Sequence, residues 1–127
     1  MPLVRLDLPA QTTPQTMRTV ADAVHQALVT TLGIPAADRF QTITRRSADE
    51  IICSSEFLGI AHSDQVVFVQ ITMAPRSLEL KKALYLEIAS AIARETHFKR
   101  SDVIINLVES ARENWSFGNG LAQFAQP

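Results

Sequence analysis

Cysteine is nearly absent from this 127-residue chain: Cys53 stands alone, so no internal disulfide can form and no thiolate cluster can hold a structural metal. A reducing cytoplasm suits such usage. Glycine is scarce as well, at four residues, and an apolar content of 46% with 20% charged residues describes a chain that builds a core rather than a repeat or a disordered tail. An excess of either charge is missing: twelve Lys and Arg against thirteen Asp and Glu leave a net charge of −1. No overall field recruits nucleic acid or an anionic membrane. No apolar run reaches the roughly 18 residues that span a bilayer, and the amino terminus lacks a charged region followed by a signal core. His25, His62 and His97 lie far apart, and HExxH, GxGxxG and GxxxxGK[ST] are all missing, so neither a metal nor a cofactor is expected. The length fits one domain, residues 1–127.

What is present is a pattern of strands and helices. In Leu3–Leu8 the residues Val4, Leu6 and Leu8 fall on one face of an extended chain and Leu3, Arg5 and Asp7 on the other. Thr13 and Pro14 then supply an N-cap and a first-turn proline. Val20, Val24, Ala27 and Leu28 form an apolar stripe that Gly33 and Pro35 end, predicting a helix over 14–32. Phe40–Arg45 and Glu50–Cys53 read as short extended pieces about a polar turn. The β-branched run Val66–Ile71 reads as a central parallel strand buried on both faces. Ser77 caps a second helix over about 77–96, and Val103–Glu109 returns as a strand.

Strand, helix, strand therefore occurs twice, in halves of about 2–55 and 66–110. An offset of 102 − 38 = 64 aligns Asp38 with Asp102 and superimposes Val20 on Leu84, Val24 on Ile88 and Leu28 on Ile92. The expected fold is α+β: tandem βαβ units, one mixed sheet with both helices packed on a single face, and a C-terminal hairpin at about 113–124. Its other face needs a cover, and at this size a second subunit is the simplest one.

Two residues invite chemistry. Loss of Met1 before the small Pro2 would leave a secondary amine at the chain start. An ordinary terminal amine titrates at about 7.7 to 8.0 and is tuned by burial and by neighbouring charge. Arg76 sits just before the second helix, where a guanidinium and a helix amino terminus together suit a small carboxylate. The residues alone leave a second role open for it, a solvated side chain beside a helix cap. Asp38, like its counterpart Asp102, reads from the residues alone as a helix-exit cap or turn residue.

The amino-terminal Met1-Pro2-Leu3, the run Asp38-Arg39-Phe40-Gln41-Thr42, the helix start Pro75-Arg76-Ser77 and the segment Trp115-Ser116-Phe117-Gly118-Asn119-Gly120 together resemble the tautomerase superfamily, most closely its malonate semialdehyde decarboxylase group. The resemblance covers about residues 2–124. It implies a homotrimer of tandem βαβ protomers and a cofactor-independent lyase or isomerase acting on a small carboxylic acid. It implies catalytic roles for Pro2, Asp38 and Arg76, with Arg76 also binding substrate beside Trp115, Phe117 and Phe124. Arg76 matches the second of the group's paired arginines, and the position of the other, two residues earlier, is Ala74 here. Decarboxylation of a 3-oxo acid is the leading expectation. Enol–keto tautomerisation of the phenylpyruvate type, which asks for one cation and one proton shuttle, and hydration of unsaturated or halogenated acrylic acids are the enzymatic alternatives. A noncatalytic oligomeric binding protein is the remaining one.

Overall fold

The computed structural model describes residues 1–125. Along the chain lie β1 (Leu3–Pro9), α1 (Pro14–Leu32), β2 (Phe40–Arg46), β3 (Glu56–Phe57), β4 (Ile60–Ala61), β5 (Val67–Met73), α2 (Leu78–Glu95) and β6 (Val103–Glu109). Four strands form one mixed sheet in the order β2-β1-β5-β6. Each βαβ unit pairs its own strands in parallel, and the units meet through antiparallel β1 and β5.

Local chemistry fixes the helices where the sequence placed them. The Thr13 hydroxyl accepts from the Thr16 amide at 3.1 Å, and Pro14 opens α1 with no amide hydrogen to satisfy. At the far end Gly33 adopts φ 69°, a left-handed value that suits glycine, and its amide donates to the Val29 carbonyl at 3.0 Å. Ser77 caps α2 by accepting from the Leu80 amide at 3.3 Å. Both helices lie on one sheet face and touch each other. Val20, Val24 and Leu28 of α1 and Leu84, Ile88 and Ile92 of α2 are buried with Val4, Leu6, Leu8, Val69 and Ile71 of the sheet. Removing this apolar surface from water is the main favourable term in folding.

The opposite sheet face carries Leu3, Arg5 and Asp7 of β1 and Phe68, Gln70 and Thr72 of β5, all less buried than their neighbours. Two sequence expectations change here. β5 is central, but it is parallel only to β6, and only its helix-side residues are fully buried. Glu50–Cys53 forms no strand. Ser47 and Glu50 close a turn, the Ser47 amide donating to the Glu50 carboxylate at 2.9 Å, and the paired strands come later, at β3 and β4. The β3–β4 turn exposes Leu58 at 85%, with φ 51°, and Ile52 nearby is 93% exposed.

The expected C-terminal hairpin is a reversal without paired strands. Short 3-10 turns at Arg112–Asn114 and Gln123–Ala125 flank it, and the Gln123 side chain bridges it, accepting from the Phe117 amide at 3.0 Å and donating to the Gly118 carbonyl at 3.1 Å. A side chain takes the place of a strand ladder there.

Register also refines the internal repeat. Phe40 pairs with Leu3, and its counterpart Ile104 pairs with Phe68. The first strands are therefore offset by 68 − 3 = 65, whereas the helices and second strands keep 64. The second unit has one residue fewer between strand and helix, so Pro2 corresponds to Val67 rather than to Val66.

Candidate active site

Because β1 and β5 are antiparallel, the start of β1 lies beside the end of β5, with Leu3 opposite Thr72. Because β1 and β2 are parallel, the start of β2 lies on its other side, with Leu3 opposite Phe40. Three segments therefore converge at one end of the sheet: the amino terminus, the loop of residues 33–39 and the loop of residues 74–77. They carry Pro2, Asp38 and Arg76.

Pro2 is buried, and Asp38 and Arg76 are partly so. The Met1 amine lies 3.8 Å from Asp38 Oδ2, one residue outside the imino nitrogen that loss of Met1 would free. Burial holds this amine below the ordinary terminal-amine value; Asp38 opposes the shift and Arg76 reinforces it. The terminus thus stands in the field of both charges that the sequence singled out. Arg76 Nη1 donates to the Leu32 carbonyl at 3.2 Å and so satisfies a backbone acceptor left open at the end of α1.

A groove of about 530 Å³ opens beside this end, with Leu3, Phe40, Trp115 and Phe117 as its apolar wall and Thr72, Ser110 and Asn114 among its polar positions. No charged side chain among the described residues lines it. The aromatics brace one another: Trp115 stacks on Phe117 with ring centroids 5.4 Å apart and planes at 4°, and Phe40 approaches Phe117 at 5.3 Å. Phe124 meets Phe117 edge-on at 5.0 Å from behind the wall, and the Arg112 guanidinium sits 4.5 Å above the Phe124 ring. Sequence reasoning missed Phe40 as a wall residue. Its signal was strand parity, because it faces the same side as Leu3.

At the opposite end of the sheet the counterpart of Asp38 is closed off. Asp102 is buried and accepts from the Ser63 amide at 2.8 Å and the Ser63 hydroxyl at 2.5 Å. The chain runs on through that position with no free nitrogen. Cys53 and His62, nine residues apart in sequence, also meet there, with Sγ 3.7 Å from Nδ1. The same Nδ1 lies 2.9 Å from the Ser54 carbonyl, which can only accept, so Nδ1 carries the proton and is not placed to take one from the thiol.

Comparison with known proteins gives the family and the fold. Two family models, both described as tautomerase enzyme, match residues 38–118 and 2–50. The chain belongs to the tautomerase superfamily. It is 32% identical to the probable tautomerase YusQ of Bacillus subtilis (strain 168), covering 99% of this chain and 100% of that one. Within the superfamily it is similar to malonate semialdehyde decarboxylase. The structure of the FG41 enzyme inhibited by 3-bromopropiolate superimposes with a TM-score of 0.90 at 37% identity, over 98% of this chain and 99% of that one. A fused 4-OT solved as a symmetric trimer matches with a TM-score of 0.79 at 25% identity, over 98% and 99%.

Proposed function

We propose that the protein is a cofactor-independent enzyme that decarboxylates a small 3-oxo carboxylic acid with Pro2 as its amino-terminal catalytic residue. The observation that carries this reading is the position of the chain terminus, 3.8 Å from the Asp38 carboxylate and in the field of Arg76. Freed by loss of Met1 and held as a cation by Asp38, the imino nitrogen of Pro2 donates a hydrogen bond to the 3-oxo group. Arg76 holds the carboxylate. The electrons of the bond to the carboxyl carbon move into an enolate held by that hydrogen bond, carbon dioxide leaves, and the enolate takes a proton at carbon to give the aldehyde or ketone. Trp115 and Phe117, backed by Phe124, keep water from the reacting atoms.

A second reading is favoured by a specific observation. Ala74 leaves Arg76 as the one cation of the constellation, and the groove is broad and apolar. This suits ketonisation of an enol-2-oxo acid with an aryl group, in which Pro2 moves one proton from oxygen to carbon.

Steady-state assays with 3-oxopropanoate and with enol-phenylpyruvate separate the two, and the Pro2→Ala variant tests both. Turnover should fall at least on the order of a hundredfold with an unchanged thermal midpoint. Unaltered turnover, or intact mass showing Met1 retained in the active protein, removes Pro2 from the chemistry, and no turnover of either acid by the wild type leaves a noncatalytic binding protein. The fold of a trimeric relative and the exposed apolar residues about Leu58 support self-association, and we propose a homotrimer. The unpaired Cys53 suits the cytoplasm, where we place it.

A further inference from the structure

Asp38 is the one member of the site whose side chain is held by no other fixed group. Apart from the terminal amine, no hydrogen-bond partner of its carboxylate is seen among the described residues, and 39% of its side chain is exposed. Its placement must come through the backbone of residues 33–39. That backbone is fastened to one face of α1 on both sides of Asp38. Two residues before it, the Ala36 carbonyl accepts from His25 Nε2 at 2.8 Å. A carbonyl cannot donate, so Nε2 carries the proton. One residue after it, Arg39 Nη2 meets Asp22 Oδ1 at 2.6 Å, and Gln41, which accepts from Arg39 Nε at 2.9 Å, donates to the Ala21 carbonyl at 2.9 Å.

These anchors differ in how firmly they hold. Asp22 is 53% exposed, and an exposed ion pair contributes little. His25 is 8% exposed, on a helix fixed by its buried neighbours Val24 and Leu28. A buried polar group is costly to leave unpaired, so its hydrogen bond persists. Ala36 is itself exposed, with no packing of its own to hold it.

We propose that His25 is a positioning residue for this enzyme: by donating to the Ala36 carbonyl it sets the loop that presents Asp38 to the amino-terminal nitrogen. The inference rests on the function proposed above and extends it to a residue that touches neither substrate nor the reacting nitrogen. Asp38 and Arg76 are the charged groups that act on the Met1 amine, one residue outside that nitrogen. Asp38 raises its proton affinity, so any change that swings Asp38 away moves the amine-dependent limb of the pH–rate profile to lower pH.

The test compares wild type with Asp38→Asn, His25→Leu, His25→Gln and His25→Asn on the faster of 3-oxopropanoate and enol-phenylpyruvate. The Gln amide reaches the place of Nε2, whereas the Asn amide falls short of it. His25→Leu and His25→Asn should lower kcat on the order of tenfold to a hundredfold with little change in KM, since small misplacements carry costs of that order. They should also move the amine-dependent limb in the direction that Asp38→Asn moves it. His25→Gln should restore both. If His25→Leu fails to fold, the Gln and Asn pair decides. A thermal midpoint that falls in His25→Asn while the limb stays in place overturns the proposal and leaves His25 a stabilising residue. If Asp38→Asn itself leaves the limb in place, the role of Asp38 fails first and that of His25 falls with it.

Discussion

At the scale of single residues, the site is an argument between two charges over one nitrogen. Burial lowers the proton affinity of the Met1 amine, Asp38 works against that, and Arg76 works with it; on the proposed reading the Pro2 nitrogen, one residue further in, meets the same two charges. Opposite substitutions should therefore move the same titration in opposite directions. Asp38→Asn removes a group that favours the cation, so the amine titrates at lower pH. Arg76→Gln removes a group that disfavours it, so the amine titrates at higher pH. Titration of the processed protein, followed by NMR at the amino-terminal proline, gives both signs directly; two shifts of the same sign would mean that burial alone governs the nitrogen. Arg76→Gln should also loosen the last turn of α1, because Nη1 caps the Leu32 carbonyl.

At the scale of elements, local rules carried most of the information. The Thr13 and Ser77 caps, the Gly33 stop and the three-and-four spacing of Val20, Val24 and Leu28 act within a few residues of themselves, so both helices were legible from sequence. Gly33 gives that reading a number. At φ 69° a side chain meets left-handed strain, while the space around its Cβ position is empty. Gly33→Ala should destabilise by about 1–2 kcal/mol, read from the denaturation midpoint at fixed protein concentration, and Gly33→Asn by less. Features set by partners distant in sequence, or by a side chain that closes its own turn, were not legible. β5 hid its antiparallel edge because the pairing with β1 spans the whole first unit. Glu50–Cys53 lost its strand to a turn closed by Glu50 itself. The C-terminal reversal is bridged by the Gln123 side chain, which no turn rule anticipates. In the site, Pro2 and Arg76 were candidates from their own chemistry and place in the chain and Asp38 entered through family resemblance, whereas Phe40 and His25 needed the register of β1 against β2 and the contact of α1 with its following loop.

At the scale of the whole molecule, one sheet face is covered by helices and the other is open. Leu58 concentrates the question of what covers it. A leucine with φ 51° and 85% exposure has a strained backbone and unburied carbon, a combination a lone protomer gains nothing from. Leu58→Asn should relax the turn, since Asn tolerates that conformation, and weaken assembly by removing apolar surface. Sedimentation should show a shift toward protomers, with each protomer no less stable. An unshifted distribution would mean that Leu58 lies outside the contact between subunits. The repeat has its own arithmetic. Asp102 is bound by Ser63, and the polypeptide passes through the second position without a break, so on the proposed reading repeating the βαβ unit supplies two scaffolds and a single reactive centre. Capacity for turnover therefore scales with the number of chain ends, not with the number of units in the fold.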